Sequence, residues 1–345
     1  MIQVERSFFG LEIDWNYLYE QGEYTVFQSL SYNKIAFDYI HKKDIELYLL
    51  IYKDQNDKVL AIFPTYLHSG ILRFINDRNT DFCDVLIDVN AKEHEVFSEL
   101  IEFINGDSHI KSIILDNIRP ESVLLSFFKV YSRTSLTYCI NEYSFLNCRP
   151  LDNVYDNFSN LTNDKKKKLK KIILNKENCD FRIYKGEFGD SFPKKQLQDI
   201  FDIMVSKGIR SASTFDEQFW RFVESCYSNN IIEIGILKRD GRPLSAGMVF
   251  YNSNVSVRWV ILYTEPKYNL WNNTHYIIDK CSNISSMYEI NFGRGGYDYK
   301  INNFKPELSL LYRLSFSKTT FGRINQSLIA FFFFLKPTIK LLLRK

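Results

Sequence analysis

The sequence predicts an α+β protein of two units in tandem, each a mixed, largely antiparallel sheet flanked by helices. Three observations carry this. The chain has 345 residues, more than the roughly 100–200 usual for one domain. Its first half alternates helical and strand periods, and after Arg149-Pro150 the pattern restarts and runs into three successive strands. The expected boundaries are residues 1–150, 151–320, and an apolar, basic tail at 321–345.

In chain order, Tyr24 to Ile40 repeats apolar residues at helical spacing, and IELYLLIYK and KVLAIFPTYL flank the turn-like DQND as a hairpin. EVFSELIEFI reads as helix, KSIILDNI as strand, SVLLSFFKVY as helix and TSLTYCINEYSFL as strand. The second half begins with a helix over the lysine run, the strand CDFRIYK, and helices at Lys194–Met204 and Asp216–Cys226. IIEIGILK and LSAGMVFYN then flank Arg239-Asp240-Gly241-Arg242-Pro243, and VSVRWVILYT follows as the third strand of an antiparallel meander. In that strand Val255, Val257, Trp259, Ile261 and Tyr263 share a face by simple alternation. Past Glu265-Pro266 a helix is expected with Asn273 or Thr274 as N-cap and a stripe at Ile277, Cys281, Ile284 and Tyr288. EINFGRGG reads as a strand ending in glycines, and LSLLYRLSF as a last strand.

With 45% apolar, 25% charged and 16% aromatic residues the chain is able to bury a sizeable core. Lys+Arg exceed Asp+Glu by only 44 to 41, so bulk charge gives no case for nucleic acid as partner. Six scattered cysteines without a CxxC pair suit free, mostly buried thiols in a reducing compartment. The start MIQVERSFFGLEIDW lacks the basic-then-apolar pattern of a secretory signal, so a cytoplasmic protein is expected. Five histidines without HExxH or HxH spacing, and no GxSxG, leave no metal site or serine nucleophile to predict.

Two segments offer chemistry. A helix N-terminus beside a splayed strand presents free N–H groups to a diphosphate, which Asn272, Asn273 and Thr274 would supply; an ordinary cap is the alternative. In NFGRGGYDYK, Gly293, Gly295 and Gly296 permit close backbone approach beside Arg294, Asp298, Tyr299 and Lys300, although a plain glycine-rich turn explains the same residues.

NFGRGGYDYKINNF resembles the C-terminal signature of the CelD/BcsL-type acetyltransferase-like family of cellulose and exopolysaccharide biosynthesis. DFCDVLI, VFQSLSYNKIAFDYI and LTNDKKKKLKKIILNKENCDFRIYKG resemble that family's Asp-rich segment, opening helix and basic helix-plus-strand, so the resemblance spans most of residues 24–305. It implies two GNAT-like units in tandem, similar to the FemAB peptidoglycan aminoacyltransferases, with the acyl donor in the second unit. One segment departs: where family members often carry a Ser-Pro-Gly-like turn, this chain has Leu270-Trp271-Asn272-Asn273-Thr274.

The expected function is acetyl transfer from acetyl-CoA to an amine or hydroxyl of a sugar or polysaccharide precursor. Such a reaction needs a base and a donor to the thioester oxygen. Asp298, Glu265 and His275 are the base candidates; backbone N–H groups of the splayed strand after Arg258 are the oxygen donors; Arg294, Tyr299 and Lys300 are placed at the substrate, with Lys300 as an anion contact. The run DKKKKLKK is either a solvated basic face or a dock for anionic membrane or a phosphate-bearing acceptor, such as a nucleotide sugar or lipid-linked sugar. Two other readings stay open: transfer from aminoacyl-tRNA, and a non-catalytic, membrane-peripheral partner of polysaccharide synthesis. The tail has only eight uninterrupted apolar residues, Leu328 to Leu335, too few to span a bilayer. Its phenylalanines and its Lys336, Lys340, Arg344 and Lys345 suit an anionic interface, with packing on the core as the alternative and Pro337 expected to break the helix.

Overall fold

The computed structural model describes residues 1–131, 135–151, 153–158, 160–174, 179–295 and 298–342. Two compact units form: residues 1–142 together with the segment from Ser309 onward, and Tyr143–Leu308. The division thus falls inside strands rather than at residues 150 and 320, and the tail groups with the first unit.

The first unit runs β1 (Ile2–Glu5), α1 (Glu12–Gln21), α2 (Leu30–Ile40), β2 (Ile45–Leu47), β3 (Leu49–Lys53), β4 (Val59–Phe63), β5 (Thr65–His68), β6 (Ile71–Phe74), β7 (Leu86–Ile87), α3 (Glu93–Gly106), β8 (Ser112–Ile118) and α4 (Val123–Tyr131). The helix expected from Tyr24 starts only at Leu30, because Ser29 caps it by accepting the Tyr32 N–H. The expected hairpin splits at Tyr48 and Pro64: β3 and β4 pair with each other, whereas β2 and β5 pair in another sheet. Proline has no N–H to continue a ladder, so Pro64 is a natural point for the change of sheet. α3 and α4 pack Val96, Phe97, Leu100, Leu124 and Phe128 into the same core as Leu50, Phe63 and Ile113.

β9 (Leu136–Cys148) carries the chain out of this unit. The second unit follows with α5 (Asn163–Leu174), β10 (Cys179–Tyr184), α6 (Lys194–Ser206), α7 (Glu217–Ser228), β11 (Ile232–Arg239), β12 (Arg242–Tyr251), β13 (Val255–Tyr263), α8 (Pro266–Asn283), β14 (Tyr288–Arg294) and α9 (Asp298–Phe304). Its strands lie in the order β10-β11-β12-β13-β14-β9. All neighbours are antiparallel except β13 and β14, whose connection is the crossover helix α8. Adjacent residues of a strand point to opposite faces, so Phe250, which meets Phe222 of α7, and Val249, which clusters with Tyr276 and Ile277 of α8, place these helices on opposite sides of the sheet.

β15 (Glu307–Ser317) returns the chain to the first unit, pairing with β8 from Tyr312 to Ser317, and Arg313 grips Asp116 of β8 through Nε and Nη2. α10 (Thr320–Leu342) follows and runs through Pro337 instead of breaking there.

Candidate active site

A single bulge organises the second unit. Val249 pairs with Arg258, but Met248 pairs with Val260, so Trp259 is an extra residue in β13. An extra residue bends a strand and increases its twist. The effect shows on the other edge of β13: its pairing with β14 covers Val255–Val257 against Glu289–Asn291, while β13 itself continues to Tyr263. Beyond Val257 the two parallel strands diverge into a wedge, which leaves main-chain N–H and C=O groups of β13 open to an extended ligand. The simple alternation expected for β13 holds through Trp259, whose ring stacks on Phe219 at 5.5 Å and meets Phe250 at 5.1 Å on the α7 side, while Arg258 points to the face of α8; after the bulge it fails, and Ile261 and Tyr263, opposite Gly247 and Ser245, change to the α8 face.

Arg258 is 3% exposed. Its Nη2 donates to Asn272 Oδ1 at 2.7 Å, its guanidinium lies 4.3 Å from the centre of the Tyr276 ring, and its Nε and Nη1 are buried with no hydrogen-bond partner. Burial pushes the Arg258 pKa down to about 10, partly opposed by Tyr276, Tyr299 and Glu233, so the group is still a cation near neutral pH. Room for it comes from Gly247, where a Cβ would stand 2.5 Å from Nη2. Gly247 faces Gly235 in the β11–β12 register, and the pair opens a trough in the sheet.

On the same helix face, Glu233 is fully buried, accepting from the Tyr276 hydroxyl at 2.6 Å and pairing with Lys280 at 2.7 Å and Lys185 at 3.4 Å. A buried carboxylate held by two ammonium groups and a phenol is fully compensated, and removal of one partner would leave uncovered charge.

The structure redistributes the expected site residues. α8 starts at Pro266 with Glu265 as N-cap, so Asn272, Asn273 and Thr274 are not a cap but lie in the helix interior, each fully buried. Asn272 joins sheet to helix by donating to the Gly235 carbonyl at 2.8 Å; Asn273 and Thr274 donate back to the carbonyls of Asn269 and Leu270. None of the three presents a free group of a helix terminus, and any diphosphate at α8 would meet the first turn, where Lys267 pairs with Glu265 at 3.3 Å. The helix also ends at Asn283, so Ile284 and Tyr288 leave its stripe and Tyr288 opens β14. His275 stacks on Phe181 of β10 at 5.4 Å, three strands from the wedge, and burial lowers its pKa. Glu265 stands two residues past the end of β13, at the mouth of the wedge. Asp298 opens α9, and its side chain lies outside the described residues.

Lys300 is buried rather than exposed. Its Nζ donates to the carbonyls of Phe292, Gly293, Arg294 and Gly295, at 2.6 to 3.4 Å, so it holds the FGRG turn from within. Gly293 and Gly295 take positive φ there, at 71° and 89°. Arg294, within this turn, and Tyr299, beyond it, are half-buried, and the Tyr299 phenol is one of the groups that oppose the fall in the Arg258 pKa. Among the expected residues, then, Asn272 is the one shown bonded to Arg258. Pro266 was the available signal for the true helix start, since proline is favoured at the first helical position.

A cleft of about 470 Å³ lies where α5 meets α8, lined by Lys168, Lys171, Ile172, Leu174 and Trp271. Its size is that of a small-molecule site, and its lining combines two lysines with three apolar side chains.

No protein-family model matches the sequence, and no curated protein matches it. Solved structures do. L-PGS from Bacillus licheniformis superposes with a TM-score of 0.55 at 12% identity, covering 91% of this chain and 94% of that one. A tandem GNAT protein from the clavulanic acid biosynthesis pathway gives 0.52 at 8%, covering 91% and 97%, and FemX gives 0.53 at 10%, covering 86% and 94%. The chain has a tandem GNAT-like fold. Within that fold the wedge, the crossover helix α8 and the FGRG turn all fall in the second GNAT-like unit.

Proposed function

We propose that the protein is an acyltransferase of GNAT type that moves an acetyl group from acetyl-CoA to an amine or hydroxyl of a sugar or polysaccharide precursor. The observation that carries the reading is the wedge between β13 and β14, opened by the bulge at Trp259. An extended, amide-bearing donor pairs with exactly such an unzipped strand edge as a short added strand would, its diphosphate reaching the first turn of α8 and Lys267. In the reaction the acceptor nitrogen or oxygen attacks the thioester carbonyl, the carbon–sulfur bond breaks, and the acceptor proton leaves to a base as the thiolate departs to be protonated. Main-chain N–H groups after Arg258 steady the oxygen where charge builds, and Glu265, at the mouth of the wedge, takes the base's role. The cleft of Lys168, Lys171 and Trp271 suits the phosphate of a nucleotide-linked or lipid-linked sugar. The polysaccharide assignment rests on the resemblance of NFGRGGYDYKINNF to the CelD/BcsL-type family.

A second reading, transfer of an aminoacyl group from charged tRNA, has its own support in the fold shared with FemX and L-PGS and in the likeness to the FemAB aminoacyltransferases that the sequence resemblance implies. Calorimetric titration with acetyl-CoA and with aminoacyl-tRNA separates the two. Acetyl-CoA at about a hundred times its Kd is expected to stabilise the fold by about 2.7 kcal/mol. Absence of any heat or Tm shift with acetyl-CoA, alongside tRNA binding that falls steeply with salt, overturns the acetyl reading in favour of the aminoacyl one.

A further inference from the structure

Helix α10 has two faces with different fates. One is seated in the first unit: Gln326 is 6% exposed and donates to the Phe316 carbonyl at 3.1 Å, Arg323 donates through Nε to the Ser317 carbonyl at 3.0 Å, and the Phe333 ring lies 5.7 Å from that of Tyr138 and 5.7 Å from the Arg313 guanidinium. The other face is bare. Phe321, Ile324, Leu328, Phe331 and Phe332, at i, i+3, i+7, i+10 and i+11, are each more than half exposed, and Phe334 beside them is 77% exposed. That spacing puts the five on one stripe of a helix.

Charge says what the stripe meets. No Asp or Glu follows Glu307, whereas Lys318, Arg323, Lys336, Lys340, Arg344 and Lys345 do, the last four among the final ten residues. A second copy of this helix would set cation against cation, and an ordinary apolar partner would leave the lysines unmatched. Lipid phosphates beside acyl chains match both. Among the described residues no helix is long and apolar enough to cross a membrane, which fits a segment lying in the interface plane.

We propose that α10 is a membrane-surface anchor: it lies along an anionic bilayer with the stripe Phe321–Ile324–Leu328–Phe331–Phe332 in the headgroup–acyl boundary and its C-terminal cations on the lipid phosphates. The seated face keeps the helix fixed to the first unit, so the stripe is presented preformed and no ordering of a free peptide opposes binding. Shallow burial of aromatic rings plus attraction to anionic lipid is a two-signal arrangement, in which neither part alone holds the protein firmly.

The test is flotation of the full chain with vesicles of phosphatidylcholine alone and of phosphatidylcholine with about a third phosphatidylglycerol. The wild type is expected to float with the anionic vesicles at least about tenfold more than with neutral ones, and to be released by about 0.5 M salt in large part. Phe331→Ser/Phe332→Ser, which alters only exposed rings, is expected to lose about tenfold or more of that binding with its circular dichroism and Tm unchanged; Lys336→Glu/Lys340→Glu is expected to lose the preference for anionic lipid. Equal flotation with both lipids, or a Phe331→Ser/Phe332→Ser protein that floats like the wild type, overturns the proposal. So does a wild type that ignores vesicles and instead forms dimers, seen by light scattering, that the serine variant abolishes.

Discussion

Asp84 shows how a single half-buried carboxyl shapes the response to pH. Burial pushes its pKa up to about 6, against hydrogen bonds from the Ser122 hydroxyl at 2.7 Å and the Val85 N–H at 2.8 Å. A carboxyl raised in the folded state favours folding most when it is protonated, below its unfolded pKa near 3.8, and that advantage is lost as pH rises through about 6. Asp84→Asn keeps an oxygen to accept both bonds and removes the charge. It is expected to match the wild type near pH 4 and exceed its stability at pH 7.5 by on the order of 1–3 kcal/mol, measured by urea unfolding at both values. An equal gain at the two pH values would show that the charge is not the cause. The DFCDVLI segment was visible in the sequence, but nothing there distinguished Asp84 from Asp81. What surrounds Asp84 is set by the fold, here the Ser122 hydroxyl and the charge of Arg119, which lie far along the chain.

At the scale of elements, periodic segments were legible and polar ones buried inside helices were not. α3, α6 and α7 carry regular apolar stripes, and α7 adds Asp216, whose side chain caps it by accepting the Phe219 N–H. The meander strands were equally plain, apart from the bulge, which is a fact of register and not of composition. α1 gave little signal because only Trp15 and Leu18 of its ten residues are buried. α8 misled in the other direction. Asn272, Asn273 and Thr274 have the chemistry of caps, yet within the helix they serve the sheet and the preceding turn. Asn272 is the joint between β11, β13 and α8, so Asn272→Ala strands the Gly235 carbonyl and the last bonded nitrogen of Arg258. About 2–4 kcal/mol of destabilisation is expected in chemical unfolding, larger than that of an ordinary surface Asn→Ala in the same helix. A loss below about 0.5 kcal/mol would mean that Arg258 finds another partner.

For the molecule as a whole, the tandem architecture was readable from the restart after Arg149-Pro150, and solved structures at 8–12% identity share the fold. What the sequence concealed was membership. β15 sits next to α9 in the chain, but Leu314 and its neighbours complete the core of the first unit, and strand pairing across 205 positions, Ser112 with Ser317, leaves no local trace. This has a consequence for synthesis. The N-terminal half emerges from the ribosome first but lacks β15 and the Arg313–Asp116 clasp until residues 307–317 have been made, while the second unit, Tyr143–Leu308, is complete earlier. The order of maturation is therefore the reverse of the order of emergence, and the earlier half must wait, exposed, for its last strand. A nascent chain stalled after Leu308 is expected to show slow hydrogen exchange in β11–β13 and fast exchange in β8. Protection of β8 in that truncated chain would show that the first unit stands without its late arrival.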